Sequence, residues 1–423
     1  MVYFYLLTEE ASIVMEQVKE LTEKKKWTHP RHAVVTNTLK ALGSGFCAWL
    51  YGIDVEPFRE QGDRPYLILL NHQTPFDQFF VAMAFKGAVY YMATEDIFSL
   101  GWLSDALRWL VAPIPIRKQT TDVQAVMNCM RIAREGGTIA IAPEGNRTYS
   151  GRTEYMNPAI ARLIKKLKLP VALFRIEGGY GVEPRWSDVK RRGRMKAYVS
   201  RVIEPEEIAA LSKEELCRLV QEGLDVREDC ISGEFHHKKL AEYLERAVYV
   251  CPFCGLAEFH SQGDLITCRS CGRQVRYLPT KELKGVGFDF PFPFVYQWYE
   301  YQKDYVNSFD VTAHVDVPLF RDTARLSEVL LYKRKQLLRK EAAFSLYGNR
   351  VVVDEGTDAE LVLHFDDMNA ASVLGRNKLN LYHKDMVYQV KGSKRFNALK
   401  YVNLIFRYKN MKKEDGNVKF LGL

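Results

Sequence analysis

The chain has 423 residues, of which 47% are hydrophobic and 26% are charged. This length predicts two or three domains, and the composition excludes a disordered or collagen-like protein. The 60 Lys and Arg residues outnumber the 52 Asp and Glu residues, and the formal net charge of +8 favours an anionic partner such as a phosphate or a membrane surface.

No uncharged apolar stretch reaches about 18 residues, so the sequence predicts no ordinary membrane-spanning helix. The first residues lack the basic region and the small-residue cleavage site of a secretory signal, and we therefore expect a cytosolic protein.

Eight cysteines fit that compartment, because four form a metal-type pattern and four are scattered singly. We expect no disulfides.

Residues 1–58 read as two N-terminal amphipathic helices, the first over residues 11–23 and the second over about 33–51. The second helix carries apolar residues at spacings of four and three, namely Val35, Leu39, Leu42, Phe46 and Trp49. This stripe either lies in a membrane interface or packs on the main domain. The sequence leaves both interpretations open.

Residues 59–230 alternate short apolar runs with helical segments. The predicted strands are 66–70, 88–92, 138–142, 171–174 and 194–203, and the predicted helices include 122–135, with Thr121 as its cap, and 157–168. Such alternation predicts an α/β domain with a mixed, largely parallel sheet.

The first core strand is followed by Asn71, His72 and, five residues after the histidine, Asp77. A histidine and an aspartate at this spacing are weak evidence alone, and a structural histidine is the alternative. However, the end of a buried strand is where open α/β sheets present reactive groups. The four intervening residues let the carboxylate fold back, fix the imidazole tautomer and stabilise the imidazolium.

Two further segments offer cations for an anionic ligand. Arg117 and Lys118 follow an apolar helix, and Arg147 follows the strand that ends before residue 143. Gly145 permits a close backbone approach to a ligand, and the planar guanidinium of Arg147 suits a phosphate. Together with His72, these segments supply a base and an anion clamp.

These residues resemble the glycerolipid acyltransferases, typified by bacterial 1-acyl-glycerol-3-phosphate acyltransferase. The family's NHxxxxD motif is matched by Asn71, His72 and Asp77, and its PEGxR motif by residues 143–147. The resemblance covers roughly residues 35–210, with the motifs about 70 residues apart. A further conserved segment of the family usually reads GxxFIxR, and residues 111–117 keep only its arginine. Around the PEGxR motif, Ala142 and Asn146 stand where phenylalanine and threonine are common in the family.

The resemblance implies direct acyl transfer in which His72, oriented by Asp77, deprotonates a glycerol hydroxyl. Arg117, Lys118 and Arg147 would hold the acceptor's phosphate, while Asn71, Glu144 and Gly145 would belong to the acceptor site. The co-substrate would be an acyl thioester of coenzyme A or of acyl carrier protein.

We expect acylation of lysophosphatidate to phosphatidate. The alternatives are acylation of glycerol 3-phosphate or another lysolipid, and a non-catalytic membrane or nucleic-acid scaffold with a degenerate acyltransferase domain.

Since lysophospholipids reside in bilayers, we expect peripheral contact with the inner, cytosolic face of an anionic membrane. The candidate contacts are the N-terminal helices, the apolar segment 98–110, and basic residues within 165–194.

Residues 250–280 contain two C-x2-C pairs separated by thirteen residues, formed by Cys251, Cys254, Cys268 and Cys271. Four thiolates at this spacing resemble a zinc ribbon and predict a structural Zn²⁺, since four sulfurs leave no open coordination position. The ribbon lacks a basic stripe with interleaved aromatic residues, which disfavours nucleic-acid binding.

The remaining segments surround this module. Residues 231–249 are predicted to form a linker helix, and residues 281–325 an aromatic connector that belongs to the core. Residues 326–423 are predicted to form a small β domain closed by a helix over roughly 397–408. Its pattern resembles a pleckstrin-homology-like or GRAM-like domain, which either binds a lipid headgroup or a protein, or only stabilises the chain.

Overall fold

The computed structural model describes residues 26–94, 98, 102–116, 122–330 and 335–412. The helix predicted over residues 11–23, the cap Thr121, and the cations Arg117 and Lys118 lie outside the described residues. Helices and strands are numbered in chain order over the described part of the chain.

The first domain is built on a seven-stranded sheet in the order β1-β7-β6-β2-β5-β3-β4. All neighbouring strands run parallel except β6 and β7, which confirms the predicted mixed, largely parallel α/β fold. The strands are β1 (Ile53–Val55), β2 (Leu67–Leu70), β3 (Val89–Thr94), β4 (Ile114–Ile116), β5 (Thr138–Ile141), β6 (Val171–Glu177) and β7 (Met195–Ile203).

Helices cover both faces of this sheet. They are α1 (Pro30–Tyr51), α2 (Asp77–Ala84), α3 (Trp102–Val111), α4 (Val123–Arg134), α5 (Ala159–Leu167), α6 (Gly179–Val182), α7 (Pro205–Ala210) and α8 (Lys213–Leu224). Leu67 and Leu69 belong to one apolar cluster, whereas Ile68 and Leu70 belong to another. Since successive strand residues point to opposite faces, β2 is buried on both sides, which explains its unbroken apolar sequence.

The N-cap of α4 differs from the prediction. The carboxylate of Asp122 accepts a hydrogen bond from the backbone N–H of Ala125 at 3.0 Å, so Asp122 caps this helix. Aspartate is a strong N-cap because its side-chain oxygen satisfies an otherwise unpaired N–H of the first turn.

The apolar stripe of α1 points away from the domain. Leu39, Leu42, Phe46 and Trp49 are between 52% and 80% exposed. The helix packs instead through another face, which buries His32, Cys47 and Tyr51. Within the described part of the chain, these four side chains therefore do not pack on the main domain, and contact with a membrane stays a prediction.

The predicted linker helix over residues 231–249 is wrong. The segment forms only a short 3₁₀ turn, Leu244–Arg246. The backbone N–H groups that a helix would pair locally bind distant partners instead: Ala241 donates to the Gly263 carbonyl at 2.8 Å and Tyr243 to Ser261 Oγ at 2.6 Å. Tertiary hydrogen bonds to the cysteine module thus replace helical ones.

The cysteine module comprises short antiparallel strands. The strands β8 (Val250–Cys251) and β9 (Gly255–Leu256) form one pair. A four-stranded sheet contains β10 (Phe259–Gln262), β11 (Leu265–Cys268), β12 (Gln274–Tyr277) and β13 (Leu283–Gly285).

The aromatic connector packs against this module. It contains α9 (Val295–Ser308), whose Trp298 is 1% exposed and donates from Nε1 to the Val250 carbonyl at 2.8 Å. The Trp298 ring contacts the rings of Phe259 and Phe290 at centroid distances of 5.4 and 5.0 Å. These aromatic side chains are core residues, as the sequence predicts.

The C-terminal domain is a seven-stranded antiparallel sheet in the order β17-β16-β15-β14-β20-β19-β18. Its elements are β14 (Phe320–Glu328), β15 (Gln336–Leu346), β16 (Arg350–Val353), β17 (Leu361–His364), β18 (Met368–Leu374), β19 (Lys378–His383), β20 (Met386–Gly392) and α10 (Leu399–Lys412). The domain begins at Phe320, six residues before the predicted boundary, and the predicted closing helix is present.

The C-terminal half packs tightly against the α/β domain. One apolar cluster contains Tyr149, Tyr180 and Trp186 together with side chains of the cysteine module and the C-terminal domain. The guanidinium of Arg246 joins all three parts, because it donates to the Trp186 carbonyl at 2.9 Å, to Asp188 at 2.7 Å and to the Lys394 carbonyl at 2.6 Å. The parts therefore share one interior.

Candidate active site

The two motif loops leave the same edge of the first sheet. His72 follows β2, and the segment 143–148 follows β5, which pairs with β2 in parallel register. Carboxyl ends of neighbouring parallel strands lie side by side, and ligands of open α/β sheets bind there. The backbone N–H of Thr148 donates to the His72 carbonyl at 3.3 Å, which joins the loops directly.

His72 and Asp77 form a hydrogen-bonded pair. The distance from His72 Nδ1 to Asp77 Oδ2 is 2.7 Å. Since an ionised carboxylate only accepts hydrogen bonds, Nδ1 carries the proton and Nε2 keeps a lone pair. The imidazole is 28% exposed, while Asp77 is 1% exposed. The pair therefore presents a proton acceptor at the surface and its orienting carboxylate in the interior.

Asp77 is held by three further donors. Its Oδ2 accepts from the Gln73 backbone N–H at 2.7 Å, and its Oδ1 accepts from the N–H and the hydroxyl of Thr74, both at 2.8 Å. Asp77 is also the first residue of α2, where a negative charge is favoured by the helix dipole. These contacts explain why a carboxylate is stable in this buried position.

Glu144 ties the two loops together from inside the protein. Its Oε1 accepts from the His72 backbone N–H at 2.9 Å, and its Oε2 accepts from the Glu154 backbone N–H at 3.0 Å. Burial raises the pKa of Glu144 to about 8. Glu144 is thus placed as a positioning residue that fixes the backbone of the histidine.

Gly145 makes the turn between Glu144 and Arg147. Its φ is 69°, in the left-handed region that favours glycine, and its N–H donates to the Ala142 carbonyl at 3.0 Å.

Arg147 lies buried beside the dyad, with 9% of its surface exposed. Burial, and then the neighbouring Arg185, lower the pKa of its guanidinium to about 10. Within the described part of the chain, its Nη1 has no hydrogen-bond partner. A buried guanidinium nitrogen without a partner is costly, and a bound anion would satisfy it.

Asn71 lies in the interior, away from the exposed imidazole edge. Its side-chain N–H donates to the Ile176 carbonyl at 2.8 Å, and its side-chain oxygen accepts from the Ile176 N–H at 2.7 Å. Both ends of the amide are therefore occupied by β6, so Asn71 anchors the ends of two neighbouring strands. This arrangement gives Asn71 a structural role.

Sequence reasoning missed a second group of charged residues next to Arg147. Glu183 is 3% exposed and accepts a hydrogen bond from the Tyr51 hydroxyl at 2.7 Å. The ammonium group of Lys190 lies 3.6 Å from the same carboxylate, and Arg376 of the C-terminal domain forms an ion pair with it. No local motif could reveal this cluster, because Arg376 lies 193 residues after Glu183.

The four cysteines of the metal-type pattern come together in space. Their sulfur atoms all lie within 4.8 Å of one another, with 3.8 Å between Cys251 and Cys271 and 3.6 Å between Cys254 and Cys268. A tetrahedral zinc with Zn–S bonds of about 2.3 Å places its sulfur ligands about 3.8 Å apart. The donor set and its spacing therefore fit such an ion.

One family model and several solved structures are similar to parts of this chain. Residues 53–176 match the model of the Acyltransferase family. Nine chains of solved structures match, among them the 1-acyl-sn-glycerophosphate (LPA) acyltransferase PlsC from Thermotoga maritima. That match has 21% identity and a TM-score of 0.39, and it covers 45% of this chain and 76% of that chain. No curated protein matches.

The matched range contains the His72–Asp77 pair, Glu144 and Arg147, but neither the cysteine module nor the C-terminal β domain. The part of the chain that carries the dyad is therefore similar to the Acyltransferase family.

Proposed function

We propose that the protein transfers a fatty acyl group from a thioester donor to the free hydroxyl of lysophosphatidate, giving phosphatidate. The observation that carries this proposal is the partly exposed imidazole of His72, held by Asp77, together with the buried Arg147, whose Nη1 has no hydrogen-bond partner among the described residues. A base and an anion site on two hydrogen-bonded loops suit an acceptor that carries a hydroxyl and a phosphate on neighbouring carbons.

The proposed reaction needs one base. His72 Nε2 removes the hydroxyl proton as the oxygen attacks the thioester carbonyl, and Asp77 stabilises the imidazolium that forms. The tetrahedral intermediate collapses, the carbon–sulfur bond breaks, and the imidazolium returns the proton to the leaving thiolate. The acceptor itself is the nucleophile, so no acyl-enzyme is required.

The charge around Arg147 favours an acceptor with a phosphate. Glycerol 3-phosphate and other phosphate-bearing lysolipids share this group and are the nearest alternative acceptors. The donor is a thioester of coenzyme A or of acyl carrier protein, since both present the same reacting carbonyl.

We further propose that the protein works peripherally at an anionic membrane, on its cytosolic face. In addition to the α1 stripe, α3 leaves Trp102 and Trp109 exposed by 80% and 59%. The helices touch each other, because Arg31 of α1 donates to the Trp109 carbonyl at 3.0 Å. Exposed Trp, Phe and Leu beside basic residues are typical of interfacial helices.

In the part of the chain that the structure describes, no helix has both the length and the apolar character required to cross a bilayer. Contact through exposed side chains of α1 and α3 is consistent with that finding.

We also propose that Cys251, Cys254, Cys268 and Cys271 bind one structural Zn²⁺. When bound, the metal would hold the two cysteine loops together and supply much of the folding free energy of this small module. Four sulfur ligands leave no position for a substrate, so the cysteine module has no part in the acyl transfer.

The dyad is tested by His72→Ala and Asp77→Asn. Both variants should lower kcat for lysophosphatidate by about 10²–10⁴-fold, because the base is removed or loses its orientation. Release of free thiol from an acyl thioester measures the rate. Gln78→Ala, an exposed neighbour of Asp77, is the control and should retain activity. Wild-type turnover in His72→Ala would refute the role of His72 as the base, and absence of turnover in the wild type would favour the non-catalytic scaffold.

Arg147→Ala should weaken phosphate-bearing acceptors selectively, because it removes a charge-assisted contact. We expect the KM for lysophosphatidate to rise by about tenfold or more, in line with loss of a hydrogen bond to a charged group. The KM for monoacylglycerol should change little. An equal effect on both acceptors would contradict the phosphate role.

Metal analysis of protein purified without chelator should find close to one zinc per chain. Cys254→Ser should lower both the zinc content and the melting temperature, because it removes one of four ligands. Cys230→Ser, which changes an exposed cysteine outside the cluster, should alter neither. Less than half an equivalent of zinc in the wild type would refute the site.

Flotation with liposomes tests the membrane contact. The wild-type protein should float with vesicles that contain anionic lipid, and Leu42→Glu/Phe46→Glu should lose most of this binding, because charges replace the exposed apolar surface. Leu337→Glu, at a position 53% exposed in the C-terminal domain, is the control. Unchanged binding of the double variant, or binding independent of anionic lipid, would exclude this surface.

A further inference from the structure

The turn between β18 and β19 of the C-terminal domain reaches the catalytic loops. Arg185, which is 3% exposed, fixes it there. The Arg185 guanidinium donates to the Arg147 carbonyl at 2.9 Å, to the Val373 carbonyl at 3.1 Å and to the Gly375 carbonyl at 3.3 Å. The buried Arg185 side chain thus joins the backbone of the loop that carries Arg147, residues 143–148, to the β18–β19 hairpin of the C-terminal domain.

Arg376 lies at the tip of this turn and projects to two carboxylates of the α/β domain, the buried Glu183 and the partly exposed Asp188. It forms an ion pair with Glu183, and its Nη1 lies 3.6 Å from Asp188. Its side chain is 29% exposed, and its buried Nε has no hydrogen-bond partner within the described residues. Arg376 is therefore held in place and still has unused hydrogen-bonding capacity.

The cluster contains more positive than negative charge. Glu183 is shared by Lys190 and Arg376, and Asp188 already binds the Arg246 guanidinium at 2.7 and 3.1 Å. Neither carboxylate forms an ion pair with Arg147 among the described residues. Two buried nitrogens, Nη1 of Arg147 and Nε of Arg376, have no hydrogen-bond partner among the described residues, which agrees with this excess of positive charge. A phosphate monoester has the charge and the acceptor oxygens to satisfy such a pair.

The cluster also lies next to the dyad. The Tyr51 ring, whose hydroxyl binds Glu183, is 5.5 Å from the ring of Phe76, the residue before Asp77. The ammonium group of Lys190 lies over the same two rings, at 5.1 and 5.7 Å from their centroids. The proposed phosphate and the proposed base are therefore within reach of one small acceptor.

We propose that Arg376 of the C-terminal β domain binds the acceptor's phosphate together with Arg147, so that the headgroup site is completed across the domain interface. This inference rests on the proposed function and names a specificity-determining residue for it. Arg185 acts as the positioning residue, because its guanidinium binds the backbone carbonyl of Arg147 and those of Val373 and Gly375 at the turn that carries Arg376.

The test compares Arg376→Gln with Lys384→Gln in the full chain. Lys384 is an exposed cation in the β19–β20 turn at the other end of the same strands, so its loss removes one charge without touching the site. With lysophosphatidate, Arg376→Gln should raise KM at least about tenfold and change kcat less. With monoacylglycerol, its KM should stay at the wild-type value. Arg376→Lys, which retains the charge, should recover part of the loss.

A second measurement does not depend on turnover. Glycerol 3-phosphate at millimolar concentration should raise the melting temperature of the wild type and of Lys384→Gln, because a ligand stabilises the state that binds it. Arg376→Gln should lose most of this shift. The same comparison in a His72→Ala background should give the same result, since the phosphate site does not need the base.

The outcomes separate the two proposals. A wild-type protein that acylates no acceptor but shows the Arg376-dependent shift would refute the proposed function and support the shared phosphate site. The shared site alone would be overturned if the enzyme is active but Arg376→Gln changes neither of two quantities. These are the ratio of KM for lysophosphatidate to KM for monoacylglycerol, and the rise in melting temperature with glycerol 3-phosphate. The shared site would also be overturned if Arg376→Gln lost activity equally on lysophosphatidate and monoacylglycerol and had a lower melting temperature. Arg376 would then only stabilise the domain interface.

Discussion

The geometry of the active site depends on one buried carboxylate, that of Asp77, which accepts hydrogen bonds from four donors. Three of these donors belong to the loop that carries His72, and the fourth is the imidazole itself. Because a buried carboxylate is stable only when its oxygens are paired, loop shape and imidazole orientation are set by the same group. The imidazole, the proposed base, is thus oriented before any acceptor arrives, which would reduce the cost of reaching the reactive geometry.

Two more buried polar side chains fix this loop to the sheet. Asn71 pairs with the backbone of Ile176 through both ends of its amide, and Glu144 accepts from the backbone of His72 and of Glu154. Burial favours the neutral form of Glu144, while its two N–H donors favour the ionised form, and its pKa of about 8 reflects the larger effect of burial. Each motif residue therefore has a distinct physical task, and only the imidazole presents a reactive atom to solvent.

The C-terminal half shares an apolar interior with the α/β domain and also contacts the loop that carries Arg147 through Arg185. Its apolar core includes Tyr149 and Trp186 of the α/β domain, and Arg185 joins the Arg147 loop to the β18–β19 turn. The family match ends at residue 176 and so leaves out Glu183, Lys190 and Arg376. The proposed headgroup site would give the additional β domain a role in acceptor recognition, because the packing of this domain determines where Arg376 lies.

The sequence by itself determined the α/β fold, the C-terminal β domain, and the dyad and cysteine positions, because hydrophobic periodicity and short spacings are local signals. The packed structure decided the rest. It showed that residues 231–249 form no helix, since their N–H groups bind the cysteine module, and that the α1 stripe is exposed. It also brought Arg376 to Glu183 across 193 residues, a contact without a local signature because it arises only when two separately folded sheets pack together.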